Sequence, residues 1–374
     1  MREQSDTDDL RPAESTRPVL STRRKILYGF AVAVAAFVLL ECAARLTLLI
    51  VFPKSAPIEV AWKDAPEDTS SQRNRIYSPD RELLFRLRPN IQIPEKINDR
   101  IFDVHTNDLG LRNGKVTVDK PAGVYRVLCI GDSTTFGSGA GDKETYPARL
   151  QYWLEKRYPD QKFEVLNAGV PGYSSYQARK YLEHAGFGLS PDAVVFIAGF
   201  NDTAPARPGT KRLFREGVEL SDRQYAESQH RKMGLGIVLL AHRLLSSRAE
   251  SKSTGDTAGD RIKRRVSLGE YQENLVWVIE TCRARRVLGM TVSWPIIQDK
   301  NADIRVKSVY AYQRAANQLA REQESVHLDL SHLGTSDPKL FIDMVHLNPK
   351  GYDIVAKGIA TELVKQMEST MLGK

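Results

Sequence analysis

Cysteine is scarce in this chain, with three among 374 residues, at positions 42, 129 and 282. No two form a CxxC pair and none joins histidines at metal-ligand spacing, which removes disulfide-scaffold, dithiol and zinc-finger readings. Cys42 lies in an apolar stretch, Cys129 in a strand-like run and Cys282 on an expected helix, so all three read as unpaired thiols acting as small hydrophobes. Collagen-like repeats are also missing, as is the apolar-poor composition of a disordered chain. At 41% hydrophobic and 27% charged the sequence is that of a folded globular protein. It carries no nucleic-acid-binding motif, and no nucleic-acid partner is expected.

An apolar run stands near the N-terminus. Residues 26–40 (ILYGFAVAVAAFVLL) carry no charge, and after Glu41 and Arg45 the apolar character resumes until Pro53. A helix over 26–52 would be about 40 Å long, enough to cross a bilayer. Glu41 and Arg45 are four apart and can pair on one helix face. Arg23, Arg24 and Lys25 precede the run, so residues 1–25 are expected as a cytoplasmic disordered tail and the rest as exported. A cleaved signal peptide is the rival reading. The bulky, charged residues after Leu40 and the renewed apolar stretch favour an anchor.

Residues 53–75, with three prolines and the run EDTSSQRN, read as a linker. Residues 76–120 read as a small β-rich lead-in of short strands and turns. From 121 to 370 the pattern is strand, loop, helix, repeated. Strands are expected over 124–130, 163–166, 193–198, 290–294 and 326–330. Helices are expected over 146–158, 175–184, 268–286, 306–324 and 348–368. Such alternation predicts an α/β fold with a parallel sheet covered on both faces. Ligands of these sheets bind beyond the C-terminal ends of the strands.

Four segments fall at those ends. Gly131-Asp132-Ser133 follows the first strand and Asn167-Ala168-Gly169 the second. Gly199-Phe200-Asn201-Asp202 follows the third, and Asp343-Met344-Val345-His346 opens the last helix. Each alone is an ordinary turn or cap. Together they fit acyl transfer, because a serine hydroxyl needs a base before it becomes a nucleophile. His346 can be that base, with Asp343 fixing the imidazole and stabilising its charged form. The N–H groups of Ser133 and Gly169, with the Asn201 amide, can bind the developing oxyanion.

GDS, the glycine of NAG, GxND and DxxH resemble the four signature blocks of the SGNH (GDSL-type) hydrolases, over about residues 124–368. The resemblance implies a flavodoxin-like three-layer α/β/α domain and a Ser-His-Asp mechanism without metal or other cofactor. It assigns the triad to Ser133, His346 and Asp343 and the oxyanion hole to Ser133, Gly169 and Asn201. Thr134 departs from the leucine of GDSL lipases proper. The anchor and the stretch HTNDLGLR look like those of membrane-anchored bacterial relatives.

Residues 203–266 interrupt the α/β pattern as a basic insert or lid. They carry 14 Lys or Arg against 7 Asp or Glu, almost the whole of the chain's net charge of +8. Within them residues 234–245 (GLGIVLLAHRLL) are apolar and helix-length, and 251–260 read as a flexible loop. This insert can contact anionic lipid or acidic polysaccharide, though a solvated charged loop with one packed helix is the simpler reading. The expected activity is an exported esterase acting on an acylated glycan or lipid. An O-acyltransferase using the same triad is the alternative, and a non-catalytic membrane-tethered binding protein is the alternative of another class.

Overall fold

The computed structural model describes residues 21–51, 76–97, 100–208, 219–230, 263–297, 304–333 and 337–372. Most of the tail, the linker, and the 234–245 and 251–260 segments of the insert therefore lie outside the described residues. The chain divides into two units, with helix α1 (Thr22–Val51) in one and every other described element in the other.

Helix α1 is long and apolar enough to cross a membrane. Leu27, Phe30, Phe37 and Leu39 are exposed along it. Arg45 Nε donates to Glu41 Oε1 at 2.7 Å, the pairing expected of charges one turn apart.

The other unit opens with two antiparallel hairpins. Strand β1 (Tyr77–Asp80) pairs with β2 (Leu84–Leu87), and β3 (Gln92–Ile97) with β4 (Arg100–His105). The main sheet holds β5 (Val124–Gly131), β6 (Lys162–Gly169), β7 (Ala193–Ile197), β10 (Leu288–Ser293) and β11 (Val326–Asp329). All of its neighbouring strands run parallel, in the order β11-β10-β7-β5-β6. Counted in chain order within the sheet this is 2-1-3-4-5, the doubly wound, flavodoxin-like arrangement whose switch point lies where the winding reverses. Two short strands, β8 (Arg207–Pro208) and β9 (Glu219–Leu220), pair antiparallel inside the insert.

Side-chain alternation along the strands builds a core on each face of the sheet. Val127 and Cys129 of β5 face one core with Val165, Val195 and Val292. Leu128 and Ile130 face the other with Leu166, Val194 and Phe196. Helices α3 (Tyr146–Arg157) and α8 (Pro349–Leu372) cover the first face through Leu150, Leu154, Val355 and Ile359. Helices α4 (Ser175–His184), α6 (Leu268–Ala284) and α7 (Ile304–Glu322) cover the second through Ala178, Leu182, Leu275 and Ala316. Burying each such aliphatic side chain contributes roughly 1.5–3 kcal/mol before entropy is counted. Local signals fix the starts of these helices. Pro147 stands in the first turn of α3. Ser267 and Glu270 form a reciprocal capping box at α6.

The expected elements appear with shifted ends. The second strand, expected over 163–166, extends to Gly169 because it pairs with β5 along its whole length. Tertiary pairing here overrides the weak strand preference of Asn167 and Gly169. Residues 343–346 do not open the last helix. They form a loop closed by a bridge between Phe341 and Leu347, and α8 starts at Pro349 after Asn348. Asn348 Oδ1 accepts from Gly351 N at 3.0 Å, taking up an otherwise orphaned donor of the first turn.

The segment between the hairpins and β5 braces the end of that strand. Arg112 is 3% exposed. Its guanidinium donates to the carbonyls of Phe136 (3.0 Å), Gly137 (3.0 Å) and Ala140 (2.7 Å), and to Asp142 Oδ1 (2.9 Å). These carbonyls belong to the short helix α2 (Ser133–Phe136) and the loop after it. Next to Arg112, Asn113 accepts from Asn167 N at 2.6 Å and donates to Val165 O at 2.9 Å. Arg112, which ends the HTNDLGLR stretch, and Asn113 after it thus form a polar strut between β6 and the segment that follows β5.

Replacing Arg112 by methionine leaves the Ala140 carbonyl without its donor, at a cost of about 1–3 kcal/mol, and takes one of two donors from the carbonyls of Phe136 and Gly137, which keep Asn167 Nδ2 and Ala140 N. The expected result is a fall of several degrees in the thermal midpoint of Arg112→Met and loss of esterase activity near that temperature, read by calorimetry and by rate. A midpoint equal to the parent's would show that the strut carries no stability.

Candidate active site

The end of β5 turns sharply into α2, and Ser133 is the first residue of that helix. Asp132 caps it: Oδ1 accepts from Thr134 N at 2.9 Å and from Thr134 Oγ1 at 2.7 Å. Asp132 is 2% exposed, and burial pushes its carboxyl above the ordinary carboxylate range despite these hydrogen bonds. Its second oxygen accepts from Asn201 Nδ2 at 3.0 Å, so the residue before Ser133 holds the GFND amide.

The loop before α8 brings in the imidazole. His346 Nδ1 lies 2.6 Å from Asp343 Oδ2, and His346 Nε2 lies 2.8 Å from Ser133 Oγ. Ionised Asp343 only accepts, so the ring proton sits on Nδ1 and Nε2 is left to accept from the serine hydroxyl. Asp343 Oδ1 accepts from the backbone N–H of Val345 (2.9 Å) and His346 (2.8 Å), which wraps the loop around the carboxylate. Burial alone would raise the Asp343 carboxyl, but the His346 hydrogen bond and charge outweigh it and hold the group at about 2. The loop is anchored from outside by Trp294 Nε1 on Val345 O (2.8 Å) and Ile297 N on Met344 O (2.9 Å).

The stretch 129–354 matches the model of the GDSL-like Lipase/Acylhydrolase family. This chain belongs to that family. It is a serine hydrolase acting on ester bonds, carried on a parallel-sheet α/β fold. Among solved structures it is similar to an acetylxylan esterase from Geobacillus stearothermophilus. The identity is 19% over 64% of this chain and 93% of that one, with a TM-score of 0.43. It is also similar to LAE5, an α/β hydrolase enzyme from the metagenome of Lake Arreo, Spain. There the identity is 17% over 64% of this chain and 94% of that one, with a TM-score of 0.42. No curated sequence matches the chain.

Not every residue expected at this GDSL-type site is free for the work assigned to it. The Gly169 N–H donates to Asn167 Oδ1 at 3.1 Å. A Cβ at Gly169 would lie 2.1 Å from the backbone nitrogen of Phe136, so this glycine exists to let α2 pass close to β6. Gly169 is therefore corrected from oxyanion donor to packing residue. The same loop offers a better donor three residues on. Tyr173 N donates to Val170 O at 3.1 Å, closing a turn with Pro171 second and Gly172 third. Gly172 has φ +86°, which with Pro171 before it is the pattern of a type II turn. Among the described residues the N–H groups of Gly172 and Ser133 carry no hydrogen bond. Asn201 Nδ2 donates to Tyr173 O at 3.1 Å as well as to Asp132, which ties this turn to the GFND block. Sequence reasoning passed over Gly172, although a Pro-Gly pair directly after a strand is a turn signal with a free central N–H.

The pH dependence follows from this geometry. A protonated His346 cannot accept the serine proton, whereas Asp343 stays charged down to about pH 2. The rate kcat/KM is therefore expected to fall on acidification as His346 takes up a proton, at pH values where Asp343 is still charged, and to recover on return to neutral pH. A profile flat down to pH 4 would show that His346 is not the base.

Proposed function

We propose that the protein is a membrane-anchored, exported esterase that hydrolyses carboxylic esters, acetyl or longer acyl, on a glycan or lipid. Ser133 is the nucleophile, His346 the general base and Asp343 the residue that orients it. One observation carries the assignment: the unbroken hydrogen-bonded chain from Asp343 through His346 to Ser133.

In acylation Ser133 Oγ attacks the ester carbonyl carbon while its proton passes to His346 Nε2. The carbonyl π pair moves onto oxygen, and the resulting oxyanion is met by the N–H groups of Ser133 and Gly172 and by the Asn201 amide. Collapse expels the alkoxide of the glycan or lipid, which takes the proton back from His346. Water then enters by the same route, its proton going to His346 and its oxygen to the acyl carbon. The acid leaves and Ser133 is restored. Each oxyanion donor is worth roughly 100- to 1,000-fold in rate. Charged Asp343 offsets the imidazolium formed in both halves of the cycle.

Anchoring rests on α1 and sidedness on Arg23, Arg24 and Lys25 at its start, which favour a cytoplasmic N-terminus. Resistance of the full chain to alkaline carbonate extraction, with the catalytic unit digested by protease added from the non-cytoplasmic side, is the expected result.

The decisive test is labelling of the full-length protein with a fluorophosphonate. An adduct on Ser133, absent in His346→Ala, is expected. Ser133→Ala and His346→Ala should each lower kcat on a model acetyl ester by on the order of 10⁴ or more, with the fold intact. Near-parent rates in either folded variant would remove the triad assignment.

A further inference from the structure

The insert was expected as a basic lid or as a solvated charged loop with one packed helix, and at its described ends Thr203, Ala206, Arg265 and Val266 are buried. Ala206 N donates to Lys263 O at 2.7 Å and Arg265 N to Ala204 O at 2.8 Å, so the outgoing and returning strands of the insert are laced together. Asp222 N, at the start of helix α5 (Asp222–His230), donates to Arg265 O at 2.8 Å. Arg265 is 9% exposed and Asp222 is fully buried. The guanidinium Nε lies 3.2 Å and 3.1 Å from the two Asp222 oxygens, and Nη2 lies 2.7 Å from Oδ2.

The rest of that guanidinium points at the catalytic loop. Nη1 donates to Gly172 O at 2.9 Å, and Nη2 to Gln177 Oε1 at 2.7 Å. Gln177 Oε1 also accepts from Ser174 N at 3.2 Å, and Ser174 Oγ donates to Asp222 Oδ2 at 2.7 Å. The peptide leaving Gly172 is therefore held by Arg265, the next carbonyl by Asn201, and the residue after that by Asp222 and Gln177. A glycine at positive φ has little intrinsic preference of its own, so these outside contacts decide which way the turn faces.

We propose that Arg265, locked by Asp222, is a positioning residue for the oxyanion hole. It acts from the insert by fixing the Val170–Tyr173 turn, and through Tyr173 O it also sets the Asn201 amide. This assignment rests on the reading of Ser133, Gly172 and Asn201 given above. The insert thereby belongs to the reaction machinery: its two ends meet at the backbone of a catalytic turn, and its net positive charge includes one cation that is buried against Asp222.

Arg265 touches no reacting atom, so its loss should spare substrate binding and weaken what forms only as charge develops on the carbonyl oxygen. The full-length protein in detergent serves for the test, with p-nitrophenyl acetate as substrate and an aryl trifluoromethyl ketone as inhibitor. The ketone adds to the serine and places an oxyanion in the hole. Arg265→Met is expected to lower kcat by roughly 10- to 100-fold, the scale of a donor displaced by about 1 Å. KM should stay within about two-fold, and ketone affinity should fall in parallel with kcat. Arg265→Lys should recover part of the loss. Arg265→Met leaves Asp222 buried without its cation and can fail to fold. The double variant Asp222→Asn with Arg265→Met removes both charges, a change buried pairs often tolerate, and should show the same loss of kcat. A folded double variant with kcat and ketone affinity within two-fold of the parent overturns the proposal, as does a loss confined to KM. Undiminished turnover in Ser133→Ala would instead overturn the site on which the proposal rests, and the two failures are told apart by that variant alone.

Discussion

A serine hydroxyl and an imidazole nitrogen 213 residues apart in sequence lie 2.8 Å from each other. The rest of the catalytic unit is arranged around that approach. A hydrogen bond of this length tolerates errors of a few tenths of an ångström, so both partners must be carried on parts that do not move relative to one another. The parallel sheet supplies the frame. Ser133 follows the end of β5, the strand at which the winding reverses, and its flanking strands β6 and β7 lead into Gly172 and Asn201. His346 comes from beyond the opposite edge of the sheet order, on a loop pinned to the residues after β10 through Trp294 and Ile297.

The hydrophobic core alone does not fix this frame to the required accuracy. Apolar packing is non-directional, and it settles layers rather than dihedral angles. Direction comes from buried guanidinium groups. Arg112 gathers the carbonyls at the end of α2, and Arg265 holds the turn that carries Gly172. Arg126, also fully buried, ties β5 to Glu164 of β6 and to the carbonyls of Thr117, Val118 and Leu189. A planar fork with five donors is suited to this, since it meets several acceptors in a fixed geometry and cannot discharge itself by losing a proton.

That division explains what could be read from the sequence. Strands such as AVVFI and helices such as 175–184 follow from apolar periodicity and capping residues, which are local. Ser133, Asn201, Asp343 and His346 could be named as candidates because acyl transfer calls for those side chains together, in loops beyond the strands. Gly169 was misassigned for a physical reason: sequence does not show which of two glycines three residues apart has its backbone N–H already spent, and Asn167 decides that by folding back onto one of them. Arg112 and Arg265 were invisible as functional residues because charge in sequence reads as solvent exposure. Only the tertiary fold gathers enough carbonyls and carboxylates around each one to offset its removal from water. The order of the insert's ends was hidden likewise, since Asp222 and Arg265 lie 43 residues apart.

The resting state of Asn201 bears on how the site can distinguish transition state from substrate. Both hydrogens of its amide are engaged, one by the Asp132 carboxyl and one by the neutral carbonyl of Tyr173. A ground-state ester carbonyl is no better an acceptor than Tyr173 O and gains little by displacing it. An oxyanion is a stronger acceptor, because a hydrogen bond to a charged oxygen is roughly twice as strong as a neutral one. On the reading of the site developed above, the amide turns from Tyr173 O only as negative charge accumulates on the substrate oxygen, while Asp132 keeps hold of its other hydrogen and limits the movement to a small rotation. Binding energy is then withheld from the substrate and released at the barrier, which is the condition under which a contact raises kcat rather than merely lowering KM. On that same reading, the turn that Arg265 braces has two tasks, to present the Gly172 N–H and to keep the Asn201 amide occupied until it is needed.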